Sequence, residues 1–119
     1  QDCVLDPWYP LGTADMLDVA FMGLHVAQMT HPDEMRRCFD MVTEENARIL
    51  GLQGYGLAPG CTASLVVLDA GNPTEALRLR PDRLAVVAKG KLVSAKARNN
   101  SRLSLPGRPE SVRRRHRTG

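Results

Sequence analysis

Aromatic residues are scarce in this chain of 119 residues, which has one Trp, two Tyr and two Phe. A hydrophobic core must therefore be built mainly from Leu, Val, Met and Ala side chains. Long apolar runs are also absent, since no stretch approaches the roughly 18 consecutive apolar residues of a membrane helix. We therefore expect no membrane partner. With 43% hydrophobic and 24% charged residues, the composition is typical of a globular chain rather than a disordered one.

Cysteine and histidine are also sparse. The three cysteines are Cys3, Cys38 and Cys61. Their wide spacing provides no CxxC pair, which argues against a structural zinc site. The sequence shows no secretion signal, so we expect free thiols and a cytoplasmic location. We expect Cys38 and Cys61 to be small apolar fillers. None of the three histidines belongs to an HxH pair; His25 fits a packed or surface helical position, and His31 a helix cap.

Charge is divided unevenly along the chain. Residues 1–97 hold nine Lys/Arg and twelve Asp/Glu, whereas residues 98–119 hold seven Arg and one acid, Glu110. An acidic body is a poor nucleic-acid surface. We therefore expect nucleic acid not to be a partner and residues 106–119 to be a solvated basic tail. The alternative is a small basic binding module that uses this Arg-rich tail on nucleic acid or another acidic partner.

The first half of the chain predicts a loop followed by two helices. Residues 1–12 contain Pro7, Pro10 and Gly12 together with an aromatic pair, which is typical of a loop with a binding or covering role. Apolar residues at three- and four-residue steps predict a helix from a Thr13 cap to about residue 29. A second helix should start at Pro32 and run to about residue 50, where Gly51 ends it.

The second half predicts short strands. Residues 65–68 and 84–88 are brief apolar runs in a stretch rich in turn residues. The pair Lys89-Gly90 predicts a tight turn, after which residues 91–93 return as the second strand of a hairpin. Helices followed by strands indicate an α/β chain with two kinds of layer. At this length it cannot by itself be a whole (β/α)8 barrel, which needs about 250 residues.

Several stretches, in this order, resemble the C-terminal third of the amidohydrolase superfamily. They are DCVLDPWYPLG (2–12), MLDVAFMGLHV (16–26), NARILGL (46–52), the strand at 64–68, the Lys89-Gly90-Lys91 hairpin and Pro109-Glu110. The likeness spans nearly the whole chain. The NARILGL region and the hairpin are shared by many amidohydrolases. The DPWYPLG loop is found in fewer of them and resembles that of bacterial cytosine deaminases.

This resemblance implies a fold and a domain division. Residues 1–52 would be the C-terminal end of a metal-dependent (β/α)8 barrel, comprising the loop after strand 8 and helices. Residues 53–105 would be strands of a small β-sandwich domain, and residues 106–119 the basic tail. The family's remaining metal ligands, beginning with an HxH pair on earlier strands, are missing from this sequence. The resemblance therefore implies a C-terminal fragment, which we expect to be inactive alone.

The resemblance also implies site residues. Asp2 occupies the position of the eighth-strand aspartate, which in this family binds a divalent metal (iron or zinc) and handles protons. In the intact parent we expect Asp2 to be catalytic and metal-binding, because a carboxylate beside a metal-bound water takes its proton. Trp8 borders the base-binding pocket in this comparison, and its flat indole suits a substrate-binding contact with a pyrimidine ring; the alternative is that Trp8 only packs the loop down. Asp6 fits a cap of the turn at Pro7 better than a chemical role.

Two positions depart from the cytosine deaminase pattern. Cys3 stands where those enzymes usually have a second aspartate, and Gln1 where they have a histidine. We interpret Cys3 as a substrate-binding residue in the pocket wall, and the alternative is an inert thiol. The departure extends the expected substrate from cytosine to related amino-substituted rings that release ammonia. The implied context is pyrimidine metabolism, with a small-molecule substrate and a homo-oligomeric parent.

Overall fold

The computed structural model describes residues 4–8, 10–98 and 101–112. Its elements in chain order are α1 (Met16–Val26), α2 (Pro32–Met41), α3 (Glu44–Ile49), β1 (Leu65–Leu68), α4 (Pro73–Leu79), β2 (Arg83–Ala88), β3 (Lys91–Ala95), β4 (Ser101–Arg102) and β5 (Ser111–Val112). The described part is thus a small α/β structure in which helices precede the strands, as the sequence predicts. No helix within it is long and apolar enough to cross a membrane.

The core lies among α1, α2 and α4. Its buried members are Ala20, Leu24, Cys38 and Leu77. Leu77 of α4 is completely buried, which makes α4 an integral part of the helical layer rather than a surface turn. Cys38 donates a weak hydrogen bond from Sγ to the Ala20 carbonyl at 3.4 Å, which links α2 to α1. The core is made of aliphatic and thiol groups, as the shortage of aromatic residues requires.

The second layer is a three-stranded antiparallel sheet in the order β1-β2-β3. The hairpin between β2 and β3 confirms the turn predicted at Lys89-Gly90. Both turn residues have positive φ, +48° and +78°, the twist that two-residue hairpins favour. The outer strands β1 and β3 form no further pairing among the described residues. On them, Leu92 and Val93 are each 65% exposed.

Two helix boundaries differ from the sequence prediction. The cap of α1 is Asp15, whose carboxylate accepts from the Leu17 amide, instead of Thr13. The predicted second helix is divided into α2 and α3 around Thr43. The Thr43 hydroxyl donates to the Phe39 carbonyl at 2.9 Å, and such bonds compete with the regular helical ladder. The spacing of apolar residues cannot reveal that a side-chain hydrogen bond replaces backbone hydrogen bonds at Thr43.

Helix α4 lies between β1 and β2, where the sequence analysis predicts no element. Asn72 caps it by accepting from the Glu75 amide at 2.9 Å, and Glu75 in turn accepts from the Gly71 amide. Pro73 occupies the first turn, where its missing N–H costs no hydrogen bond. The signal that could have revealed α4 is therefore Asn-Pro followed by Glu, a start signature rather than a long apolar repeat.

The Asn72 cap provides a stability test for this helix. Asn72→Ala removes the acceptor for the Glu75 amide and should lower the free energy of unfolding by about 1 kcal/mol. Asn72→Asp keeps an acceptor and should remain near the wild-type value. Urea unfolding followed by circular dichroism measures both. Equal stability of Asn72→Ala and the wild type would show that the cap contributes nothing.

Candidate functional site

The candidate site begins in the segment that we name the N-terminal loop, residues 1–12, of which the structure describes 4–8 and 10–12. The Asp6 carboxylate accepts from the Trp8 amide at 2.8 Å and so closes a turn around Pro7. This confirms the capping role predicted for Asp6. Trp8 is 90% exposed, and its apolar neighbours Leu5 and Leu11 are also largely exposed. The loop therefore presents apolar side chains to solvent, which indicates a surface available for contact with another group.

The structure describes only some of the predicted site residues. Asp2 and Cys3 lie outside the described residues, so their roles stay predictions. Trp8 is the one predicted site residue that lies among the described residues. Its solvent-facing indole is compatible with a stacking surface, although no described residue packs on it as an aromatic partner.

A metal centre was tested against the described side chains. Within residues 4–8, 10–98 and 101–112, no three His, Cys, Asp or Glu residues are close enough to hold a metal ion. The described part alone therefore does not fit a catalytic metal, which requires about three protein ligands and an open position. Any such metal would need at least one ligand from outside the described residues.

The described histidines and cysteines have ordinary structural roles. His25 approaches the Phe21 carbonyl through Nδ1 at 2.8 Å and packs on the Phe21 ring, which confirms it as a packed surface residue. His31 caps α2, and its amide donates to Glu34. Cys38 is a buried free thiol, and burial raises its pKa. It therefore stays protonated at neutral pH and serves as the apolar filler that the sequence predicts.

A cavity of about 610 Å³ lies between the helical layer and the sheet. Its lining includes Leu17, Phe39, Val42, Tyr55, Leu65 and Val87. The ionisable groups at its edge include Asp15 and Arg83, which pair with each other. Trp8 does not line this cavity, so we do not assign the cavity to the candidate site.

Ion pairs join the two layers of the structure at the start of α1. Arg83 of β2 pairs with the Asp15 carboxylate. Arg80, which follows α4, lies 3.6 Å from the Asp18 carboxylate and stacks over the Phe21 ring at 3.9 Å from its centroid. The sequence analysis identified neither arginine. Their partners are distant in sequence, so no local pattern marks them.

Four of the described basic residues pair with aspartates. They are Arg80, Arg83, Lys96 and Arg98. A nucleic-acid surface needs uncompensated Lys/Arg on one face with aromatic residues among them, so these four do not contribute to one. Most arginines of the basic tail lie outside the described residues, so the alternative function stays a prediction.

Comparison with known proteins identifies relatives for most of the chain. The amidohydrolase family matches residues 1–94. The curated N-isopropylammelide isopropyl amidohydrolase of Pseudomonas sp. (strain ADP) is 31% identical over 94 residues, which cover 78% of this chain and 23% of that protein. The family match includes the N-terminal loop, all four helices and most of the sheet, and it ends before the basic tail.

Solved structures give a similar result. The 5-methylcytosine deaminase of Klebsiella pneumoniae, liganded with 5-fluorocytosine, is 38% identical with a TM-score of 0.79. The match covers 91% of this chain and 26% of that one. N-isopropylammelide isopropylaminohydrolase of Burkholderia multivorans is 38% identical with a TM-score of 0.72, covering 76% of this chain and 23% of that one. The chain thus spans about a quarter of the length of these relatives.

Proposed function

The chain belongs to the amidohydrolase family, and from this premise we propose that it is the C-terminal part of a ring-deaminating hydrolase. The observation that carries the proposal is the match to 5-methylcytosine deaminase at 38% identity over 91% of the chain. In the complete enzyme, residues 1–52 would end a (β/α)8 barrel and residues 53–105 would contribute to a small β-sandwich. The basic tail would begin at residue 106.

The proposed reaction is hydrolysis of a carbon–nitrogen bond. Water adds to the ring carbon that bears the amino group, and the carbon–nitrogen bond then breaks. The water oxygen stays on the ring, one proton of the water leaves with the nitrogen as ammonia, and the other remains on a ring nitrogen of the product. The product is the corresponding oxo ring. Such a reaction needs a base to take a proton from water and an acid to deliver one to the leaving nitrogen.

We assign the proton transfers to Asp2. A carboxylate is negatively charged at neutral pH, so it can accept the proton of the attacking water and return it to the departing nitrogen. Family members are generally metal-dependent, and we propose that Asp2 is one ligand of a divalent metal, iron or zinc, in the complete enzyme. The metal supplies a water of lowered pKa. The described residues contain no metal-binding cluster of their own.

The substrate is proposed to be a flat, amino-substituted ring such as cytosine or a relative. The names of two similar proteins specify 5-methylcytosine and N-isopropylammelide, rings that carry an alkyl group on carbon or nitrogen. This range supports a pocket wider than one for unsubstituted cytosine. Trp8, exposed on the N-terminal loop, would provide an apolar face for the ring. Cys3 would form part of the pocket wall.

We also propose a metabolic context, a location and an oligomeric state for the complete enzyme. An enzyme acting on cytosine-like rings would work in pyrimidine metabolism, and we propose a cytoplasmic homo-oligomer. We assign no part in this reaction to a membrane or to nucleic acid.

An amine-release assay tests the proposed function. The complete enzyme should release ammonia from cytosine or 5-methylcytosine, or isopropylamine from N-isopropylammelide, and a chelator should stop the release. The isolated chain should release none, because a catalytic metal site needs several ligands. Failure of the complete enzyme on all three rings would contradict the proposed function. Release by the isolated chain above its chelated control would contradict the assignment as an incomplete part.

A further inference from the structure

The junction between the N-terminal loop and α1 is fixed by side chains on both sides of it. Thr13 donates from Oγ1 to the Asp18 carboxylate at 2.8 Å. Asp15 accepts the Leu17 amide through Oδ1 at 2.9 Å, while its other oxygen, Oδ2, receives Arg83. The Asp15 carboxylate is thus held from two directions and its side chain is only 18% exposed. It has little freedom to rotate.

The backbone at this junction adopts a conformation that alanine disfavours. Ala14 has φ of +56°, in the left-handed region where a Cβ approaches the neighbouring carbonyl. Such a conformation persists only when surrounding contacts hold it. The contacts on either side of Ala14 are those of Thr13 and Asp15. Loss of one of them should let Ala14 return to an ordinary backbone angle and swing the loop that precedes it.

Arg83 provides the contact that comes from the other layer. It lies at the start of β2, and its guanidinium reaches Asp15 across the boundary between sheet and helices. The cap made by Asp15 Oδ1 would survive without Arg83, because the Leu17 amide belongs to α1 itself. Arg83 therefore affects the direction of the Asp15 side chain and of the adjoining backbone more than the formation of α1.

We propose that Arg83 is a positioning residue, which holds Asp15 so that the N-terminal loop leaves α1 in the direction that places Trp8 for ring binding. This inference rests on the proposed function for the role of Trp8 in binding. The restraint itself does not depend on catalysis. It consists of a sheet residue, Arg83, that fixes the end of the loop nearest to α1. Trp8 is closer to this anchor along the chain than Asp2, so substrate affinity should suffer more than turnover.

The restraint can be measured by the fluorescence anisotropy of Trp8, the one tryptophan in the sequence. Arg83→Met should lower the Trp8 anisotropy in the isolated chain at unchanged far-ultraviolet circular dichroism. Arg83→Lys, which keeps the charge, should restore most of it. Asp15→Asn is the second variant: asparagine still caps a helix but loses the charge that attracts Arg83, so it should lower the anisotropy as well.

Arg98→Met is the matched control. Arg98 pairs with Asp69 at 2.9 Å, and the Asp69 side chain is 18% exposed, the same fraction as that of Asp15. This variant therefore removes an ion pair to an equally exposed aspartate, and neither of its two residues belongs to α1. Its Trp8 anisotropy should equal that of the wild type. An equal fall in Arg98→Met, or no fall in folded Arg83→Met and Asp15→Asn, would overturn the proposal.

In the complete enzyme, Arg83→Met should raise KM about two- to tenfold, the range expected when a contact with an aromatic face is weakened. The value of kcat should stay within about twofold, since the base is at the far end of the loop. A fall in kcat with unchanged KM would contradict the assignment to Trp8. If the complete enzyme proves inactive on every ring, the proposed function fails, while the anisotropy of the isolated chain still decides whether Arg83 restrains the loop.

Discussion

Asp2→Asn in the complete enzyme should reduce turnover by about 10²–10⁴-fold, the usual effect of losing a general base. Asparagine has nearly the same size as aspartate, so the substitution should preserve the fold. It lacks the negative charge and the basicity that proton abstraction from water requires. Loss of a metal ligand would add to the effect. Steady-state kinetics of ammonia release, with circular dichroism as a check on folding, measures the change.

Asp6→Asn is the matched control for this experiment. Asp6 lies in the same loop and accepts the Trp8 amide at 2.8 Å. Asparagine retains an oxygen that can accept this hydrogen bond, so the turn at Pro7 should remain and turnover should stay close to the wild-type rate. If Asp2→Asn kept more than about a tenth of the wild-type rate, Asp2 would not be the general base.

Cys3→Asp should shift substrate preference toward unsubstituted cytosine. A thiol is less polar than a carboxylate and a weaker hydrogen-bonding group. With Cys3 in the pocket wall, a methyl or larger group on the ring is accommodated without burying a charge against it. A single pocket contact of this kind changes relative kcat/KM by about 10–200-fold. The ratio of kcat/KM for cytosine and 5-methylcytosine should therefore rise by this order.

Cys3→Ser separates charge from size in the same position. Serine is close to cysteine in size and adds no charge, so the ratio of the two kcat/KM values should remain near that of the wild type. An unchanged ratio in Cys3→Asp as well would place Cys3 outside the pocket. The evidence for a cytosine-like ring would then rest on the loop sequence and on the relatives alone.

The helices and the hairpin could be predicted because their signals are local. Apolar repeats mark α1 and α2, and Lys89-Gly90 marks the turn between β2 and β3. These local signals did not predict helix boundaries that depend on the hydrogen bonds of a single side chain. The Thr43 hydroxyl interrupts the second helix by bonding to the Phe39 carbonyl. Helix α4 is short, and its capping residues rather than its apolar pattern would have revealed it.

The candidate site could be proposed from the sequence for a different reason. The N-terminal loop carries a motif whose residues are contiguous, so its family resemblance could be read directly and the family match includes it. The Arg83–Asp15 pair could not be found in this way. Its two members belong to different layers, and only the folded chain brings them together.

The open sheet edges described above affect how the isolated chain can be handled. Strands β1 and β3 end the sheet on either side, and Leu92 and Val93 on β3 are mostly exposed. An unpaired edge with apolar side chains is a template for pairing with another molecule. Lys91 places a positive charge at the start of β3, whereas the charge of Lys96, just after the strand, is compensated by Asp82. Repulsion between the Lys91 side chains of two molecules opposes edge-to-edge pairing, so low ionic strength should keep the purified chain dispersed and high salt should favour its aggregation.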